Sequence, residues 1–472
     1  MSVVQQANTT YSQSQSPNRN NRAFELKKME IELVNEEVFD IQDLVVDFEY
    51  HESIEASFLR CDFSILDSID FNSNLQGGEK ITIQMKTDSS LDHGSLDTTL
   101  QVYKIGSIIK SERGQMYILH CVSPEMYHDE MTKILKAFGP GKGAKDVDNV
   151  PKHICKEYLK ADDKITAENF ENHSKITFVS ANWKPSDAIQ YMTDKVTRLT
   201  GSKTSMKQSG FLFFENRNGF NFKSIDSICD GQATKTQFTY TYVQPGTDPP
   251  DGGKYVIESI QYPDKANHLS NMRRGTYKSA AIGISLPAQK DSFAPTSGKK
   301  KSGGGDDKSD KKGAPGGTVH QAMEITMPGI FNKATTVEQG MPFKTPEFLK
   351  QAQPTRMKIR ALPGLKNQTG VNNPNNGTNP DHDTMAVAQY AAGRYNLFKA
   401  IQLRIVVPGN TALAAGSLIK VVIPGSIEKG KNLKHDKRFS GKYVIAALTH
   451  TYQRQGITTN LLLVRDSVPE QQ

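Results

Sequence analysis

The 472-residue chain lacks most of the features by which an activity shows itself in sequence. No stretch approaches the ~20 consecutive apolar residues that a membrane-spanning helix needs. Tryptophan occurs once, and cysteine only at Cys61, Cys121, Cys155 and Cys229. None of these four stands near another, which argues against a metal cluster or a disulfide framework. Buried free thiols in a reducing compartment are expected instead. The opening residues, MSVVQQANTTYSQSQSPNRNNR, are polar and hold no apolar core. They do not read as a secretory signal, so the protein is expected to be made and kept in a cytoplasm.

Catalytic signatures are missing as well. There is no HExxH and no G-x-S-x-G. Gly139-Pro140-Gly141-Lys142-Gly143 has the wrong spacing for a phosphate loop, and no Ser or Thr follows the lysine. His128, Asp129 and Glu130 are consecutive on a predicted helix, so they diverge around its axis. Asp381-His382-Asp383 reads as a loop and helix cap. His120 and His450 fall on predicted strands and read as structural. Acidic residues are abundant, but nothing singles out a pair for glycoside hydrolysis. No catalytic residue, cofactor or metal ligand is assigned, and the protein is not expected to be an enzyme.

What is present is strongly patterned. Residues 25–125 hold 20 acidic and 8 basic side chains, a net of −12, whereas residues 399–466 hold 11 basic and 3 acidic, a net of +8. An acidic first domain would repel phosphate, so the overall charge of +7 does not indicate a nucleic-acid binder. From Phe24 onward the apolar period is two: Met29, Ile31 and Leu33; Val46, Phe48 and Tyr50; Leu59, Cys61, Phe63 and Ile65; Ile81, Ile83 and Met85; Met116, Ile118 and Val122. Turn residues such as Gln76-Gly77-Gly78-Glu79 separate the runs. About six such strands predict a small barrel or sandwich. Ser123-Pro124-Glu125 predicts a helix start, with Met131, Ile134, Leu135 and Phe138 on one face. Further helices are predicted over 151–160, over 185–200 and from an Asp383 cap to Phe398. Gly210–Asp226 reads as a β-hairpin about Asn218-Gly219. Its phenylalanines lie on both strand parities, so packing is preferred over base stacking.

Period two returns over 236–287 and 399–466. The first piece has too few strands to stand alone. Joined, the two pieces equal the first domain in size, which predicts a second barrel interrupted by an insertion, with the first as its repeat. The fold class is α+β, mainly β. The partition is a polar tail (1–23), a first barrel (24–125), a mixed α/β domain with the aromatic hairpin (126–235), the first part of a second barrel (236–287), a low-complexity linker (288–317), an irregular and helical insertion belonging to the middle domain (318–398) and the closing part of the second barrel (399–472). The linker composition cannot bury a core, so 290–314 is expected to be dispensable for folding.

The hairpin FFENRNGFNFKS and the closing segment GKYVIAALTHTYQRQGITTNLLLVRD together resemble the baseplate hub of contractile-tailed bacteriophages. The resemblance implies two similar tube-type barrels, the second discontinuous. It also implies a homotrimer joining a trimeric spike to a hexameric tail tube or its initiator, in contact with other baseplate proteins. DNA would pass through without specific binding, no membrane insertion is implied, and the location would be the virion tail. Positions matching the pattern are Gly78, Glu79, Phe213, Phe214, Phe220, Phe222, Gly416, Gly441, Tyr443, His450 and Arg465, with fold and assembly roles. Acids of the first barrel are expected to face the bore, and Lys429, Lys431, Lys434, Lys437 and Arg438 to lie off it. Two rivals are a type VI secretion spike hub core, which expects a needle domain beyond residue 466, and a tail-associated cell-wall hydrolase, which expects a catalytic cluster.

Overall fold

The computed structural model describes residues 24–468 except 88–93, 113, 139–149, 162–163, 172–177, 201–202, 231–237, 244–252, 263–266, 286–317, 320–322, 328–334, 339–346, 348–355, 363–379, 426–434 and 437. The polar tail and the 288–317 linker lie outside the described residues.

Seven strands open the described residues: β1 (Phe24–Glu32), β2 (Val38–Asp40), β3 (Val45–Ser53), β4 (Arg60–Asp67), β5 (Lys80–Thr87), β6 (Leu96–Ser111) and β7 (Gly114–Val122). Alternation sets their faces. On β4, Cys61, Phe63 and Ile65 are buried, while Arg60, Asp62 and Ser64 face outward. Two predicted phases are corrected. A bulge between Val45 and Asp47 buries Val45 rather than Val46. On β7 Tyr117, Leu119 and Cys121 are buried and Met116 is exposed, while Val122 at the strand's end is buried as expected. Both parities of that strand carry apolar residues, so alternation alone leaves its facing undetermined.

The middle of the chain is mixed: α1 (Pro124–Met131), β8 (Ile134–Phe138), α2 (Val150–Glu157), β9 (Ile165–Ala167), β10 (Phe170–Glu171), β11 (Phe178–Trp183), α3 (Pro185–Met192), β12 (Thr197–Thr200), β13 (Lys203–Ser209), β14 (Phe211–Asn216), β15 (Gly219–Ser224) and α4 (Ile225–Asp230). Two predicted helices are shorter than expected. The first stops at Met131, and Ile134–Phe138 is a strand paired with β11, burying Ile134 and Phe138 and exposing Leu135. The second stops at Met192, and Thr197–Thr200 pairs with β13. In both cases apolar spacing fits either period, and in the second the β-branched Thr197 and Thr200 favour the extended form.

Then come β16 (Thr239–Thr241), β17 (Ser259–Gln261), α5 (His268–Arg274), β18 (Lys278–Ser285), β19 (Thr318–Val319), β20 (Met323–Thr326), β21 (Arg356–Leu362), α6 (Pro380–Phe398), β22 (Ile401–Pro408), β23 (Leu418–Val422), β24 (Gly441–Gln453) and β25 (Gly456–Arg465). Helix α6 starts at Pro380, so Asp383 lies inside it rather than capping it. The segment 236–287 divides: β16 and β17 join the large sheet, and β18 pairs with β19, β20 and β21 in a separate one.

That large sheet is the organising feature. It runs β17-β22-β25-β24-β3-β4-β7-β6-β5-β1-β2, with β23 and then β16 attached beside β24. Two units of like connectivity lie within it. The first is ordered β3-β4-β7-β6-β5-β1, and the second β17-β22-β25-β24-β23-β16. Each place in one matches a place in the other, in the same chain order. One sense differs, since β1 is antiparallel to β5 and β16 is parallel to β23. No ladder closes either unit into a barrel among the described residues. Instead Ala447–Gln453 of β24 pairs antiparallel with Ser53–Asp47 of β3, fusing the units edge to edge over one shared apolar core.

Helix α6 ties the middle of the chain to this sheet. Its Arg394 is fully buried, 2.7 Å from Asp466 just after β25 and 3.5 Å from Asp226 on α4, and it donates to the Thr335 carbonyl at 2.6 Å. Removing the cation would strand two buried carboxylates. Arg394→Met is expected to cost about 3–5 kcal/mol, read as a lowered denaturant midpoint. Adding Asp226→Asn and Asp466→Asn should restore part of it.

Candidate functional site

The residues with most to hold in place gather at the tip of the aromatic hairpin. Strands β14 and β15 pair from Phe211↔Ser224 to Asn216↔Gly219. Gly219 alone among the four turn residues has a positive φ, 104°, and a Cβ there would stand 2.3 Å from the Lys164 carbonyl. Phe213 and Phe220 stack at 5.7 Å, and Phe211 and Phe222 at 5.0 Å, in the core of the middle domain. Phe214 has the other parity and joins a second cluster with Ile54, Ala415, Leu418 and Val444. There it lies against Gly416, whose φ is +83° and whose Cβ, if present, would meet the ring at 2.8 Å. The hairpin is therefore clamped on both faces.

Its tip reaches both sheet units through hydrogen bonds aimed at named atoms. Glu52, at the end of β3, is 2% exposed. One carboxylate oxygen accepts from the Tyr50 hydroxyl at 2.9 Å and from the Arg217 backbone N–H at 2.7 Å. The other accepts from the Ala415 N–H of the second unit at 2.7 Å. Asn216 donates its amide to the Ala415 carbonyl at 2.9 Å, Glu215 accepts from the Leu59 N–H at 3.0 Å, and Arg217 donates to the Ser95 carbonyl at 3.1 Å. Burial pushes both carboxyls up. Glu52 rises to about 7 against the pull of its donors, and Glu215 to about 8, raised further by nearby Glu125.

The other sequence-predicted residues do not converge on one place. Gly78 and Glu79 shape the turn before β5, where Glu79 accepts from the Gln76 and Gly77 N–H groups at 2.6 and 2.9 Å. Gly441 opens β24 with φ 133°. Arg465 lies 4.5 Å over the Tyr443 ring and donates to the carbonyls of Ser440 and Arg438, pinning the loop that leads into β24. His450 is buried in the joint, stacked on Tyr50 at 6.0 Å and bonded to Thr459 at 2.9 Å, and burial lowers it to about 3. Glu52, Glu215, Arg217, Asp226, Arg394 and Asp466 were not singled out from sequence. Glu52 carried a signal, since it continues the inward parity of Phe48 and Tyr50.

The outward face across the joint is polar. It carries Asp47, Glu49 and His51 on β3, Arg60, Asp62 and Ser64 on β4, Thr449 and Thr451 on β24, and Thr458 and Asn460 on β25. A shallow groove on this face of the second unit is lined by polar residues, among them Gln261, Arg404 and Thr449, and equally by apolar ones, among them Val406, Ala447 and Leu462. Lys429, Lys431, Lys434 and Lys437 lie outside the described residues; Arg438 is half-buried. Among the described residues no three His, Cys, Asp or Glu side chains gather as a metal site, and no helix is long and apolar enough to cross a membrane.

The joint sets a pH dependence. With Glu52 and Glu215 raised above 4.5, the folded state holds protons that the unfolded chain releases. Their stabilisation is complete below about pH 4.5 and is lost as pH rises through about 7 and about 8. His450 acts in the opposite direction, losing its contribution as pH falls from 6.5 toward about 3. Thermal midpoints should therefore decline from pH 6 to 9, and decline less in Glu52→Gln/Glu215→Gln. Glu52→Ala should cost about 3 kcal/mol or more, because three buried donors lose their acceptor.

No known protein family matches the chain by sequence, and neither does any curated protein. Solved structures with a similar overall course include two tail proteins and a type VI secretion component. The 43 kDa tail protein of prophage MuSo2 from Shewanella oneidensis is 11% identical, with a TM-score of 0.47 over 93% of this chain and 99% of that one. A tail protein from Neisseria meningitidis MC58 is 10% identical, with a TM-score of 0.48 over 93% and 96%. The E. coli c3393 protein, a type VI secretion component described as similar to the T4 tail proteins gp27 and gp5, is 9% identical, with a TM-score of 0.39 over 90% and 74%. Values this low assign no role to any residue.

Proposed function

We propose that the chain is a structural virion protein: the baseplate hub of a contractile tail, a homotrimer that joins a hexameric tail tube to a trimeric cell-puncturing spike and forms part of the DNA channel. The observation that carries this reading is the strand-for-strand repeat. Two six-stranded units stand side by side in one continuous sheet, joined at β24–β3. Three such chains would present six units around an axis. A sixfold partner then meets like surfaces although the chain itself has only threefold copies.

The outward face supports a channel. Its acids, Asp47, Glu49 and Asp62, repel phosphate, and its threonines and Asn460 offer no cation to hold it. Arg60 and Arg404 are the exceptions. DNA in transit would slide rather than adsorb. The tube or its initiator and other baseplate proteins would contact the rims of the assembly.

We also propose that the protein is not a cell-wall hydrolase. Two buried carboxyls with raised pKa values invite an acid–base reading. Glu52, however, is enclosed by backbone and hydroxyl donors, and Glu215 is tied to the Leu59 N–H inside the fold. Both are buried among the described residues rather than open to solvent.

Mass measurement of the purified protein and of the assembled particle is the test of assembly. A trimer is expected, and a stable monomer within the particle would overturn the reading. Purified protein should leave peptidoglycan uncleared. Clearing that a single carboxylate substitution abolishes would establish an enzyme instead.

A further inference from the structure

The insertion between β17 and β22 carries a sheet of its own, and one edge and part of one face of it stay open. Strand β18 lies at its centre, with β19 and β20 along one side and β21 along the other. All of β21 pairs parallel with β18, from Ser279↔Arg356 to Ser285↔Leu362. Its far edge has no strand among the described residues. Helix α6 packs on the face of this sheet that Ser279 shares, and Gln389 donates to the Ser279 hydroxyl there at 2.6 Å. Met357 and Ile359 have the other parity, beside Ala280 and Ile282 in the ladder. Their side chains are 62% and 70% exposed. Large apolar side chains at alternate positions of an unpaired edge strand are an arrangement that stable sheets avoid unless another strand covers them.

Charge singles out the occupant. Helix α5 and strands β18 and β21 hold six cations, Arg273, Arg274, Lys278, Arg356, Lys358 and Arg360, and no carboxylate. Arg273, Arg274 and Arg356 are exposed. Gly275, just after α5, approaches the start of β21 so closely that a Cβ on it would stand 2.9 Å from the Arg356 Cβ. The end of α5 therefore adds its two arginines to the cations of the strand. Strand β21 itself reads Arg-Met-Lys-Ile-Arg, cation and apolar residue in alternation. Two such edges laid together would set cation against cation, which guards this edge against pairing with its own copy. A nucleic acid would answer the cations, but its phosphates would leave Met357 and Ile359 uncovered. A chain that alternates acidic and apolar residues answers both.

We propose that the free edge of β21 takes up an extended acidic segment of another protein as an added strand, with carboxylates on the parity of Arg356, Lys358 and Arg360 and apolar side chains beside Met357 and Ile359. Main-chain hydrogen bonds supply affinity in such a contact, and the alternate side chains supply specificity. The cations steer an acidic chain to the edge and reject a basic one. The contact uses neither six-stranded unit and leaves the β24–β3 ladder alone, so it is independent of how copies of the chain assemble.

The test uses the full-length protein and a fluorescently labelled peptide of 7 residues, the length of β21, in which Glu and Val alternate. Anisotropy should show saturable binding that weakens as salt rises. Met357→Ser/Ile359→Ser and Arg273→Glu/Arg356→Glu replace exposed side chains, so the thermal midpoint should hold while each weakens binding by about tenfold or more. A Glu-Ser peptide of equal charge should bind about tenfold more weakly. Methylating the peptide nitrogens of alternate residues should abolish binding in one of the two possible sets and spare it in the other, because only one edge of an added strand pairs. Hydrogen exchange should slow over Arg356–Leu362 when the peptide is bound. No binding at about 1 mM peptide, or binding that both variants leave unchanged, would refute the site. Equal binding of the Glu-Val and Glu-Ser peptides would reduce the contact to charge and overturn the added strand. Tighter binding of an oligothymidylate of the same charge, lost in Arg273→Glu/Arg356→Glu, would make the edge a nucleic-acid surface instead. Self-association abolished by Met357→Ser/Ile359→Ser would put a second copy there and overturn the foreign partner. The mass of the assembled particle, read separately, decides the trimer whichever of these results is found.

Discussion

Glu52 puts a carboxylate where three pieces of the chain meet, and the positions of those pieces follow from satisfying it. Its donors come from β3 itself, from the hairpin turn and from the loop before β23. A buried carboxyl with no partner costs several kcal/mol, so the three segments must arrive together or not at all. Asn216 and Glu215 extend the same tip to Ala415 and Leu59. Phe214 seated on Gly416 supplies the apolar share. The polar bonds fix where the parts sit, and the ring adds buried apolar surface.

The Arg394 triad does for the far side of the middle domain what Glu52 does at the joint. Arg394 meets acids that arrive from α4 and from the segment after β25, and Asp466 also receives the Val337 N–H at 3.0 Å. Both sites combine residues hundreds of positions apart. Neither can form in a fragment. The insertion between β17 and β22 is therefore not an appendage on the second unit. Its helix α6 is part of what holds that unit against the middle domain.

Much of this was legible in the chain, but unevenly. Alternation at Cys61, Phe63 and Ile65, or at Ile81, Ile83 and Met85, has one solution and read correctly. The stretches that misled were those in which two periods or two phases fit equally. Met116 and Tyr117 compete for the core on β7. Ile134 to Phe138 suits a helix until its pairing with β11 is known, because pairing is a tertiary fact. The repeat was legible as strand number and size. The fusion of its two halves into one sheet was not, since nothing in the pattern of β24 says that its edge changes partner at a bulge near Ala446. Glu52 was visible as a charge at a core parity. Arg394 was one cation among many on a helix whose amphipathic pattern is weak, and only the fold brings two acids to it.

A joint built on aimed hydrogen bonds suits the proposed assembly for a physical reason. Apolar contact is non-directional, and an interface held by it alone tolerates sliding and tilting at little cost. In a closed ring, an angular error at one joint recurs at every copy, so small freedom within a chain becomes failure to close. Three donors converging on the two oxygens of Glu52 admit one docking of the hairpin, and the β24–β3 ladder admits one register, since a slip by one residue would turn Tyr50 and His450 out of the core. The intrachain joint is thus specified closely enough to set the angle that the contact between copies would have to match.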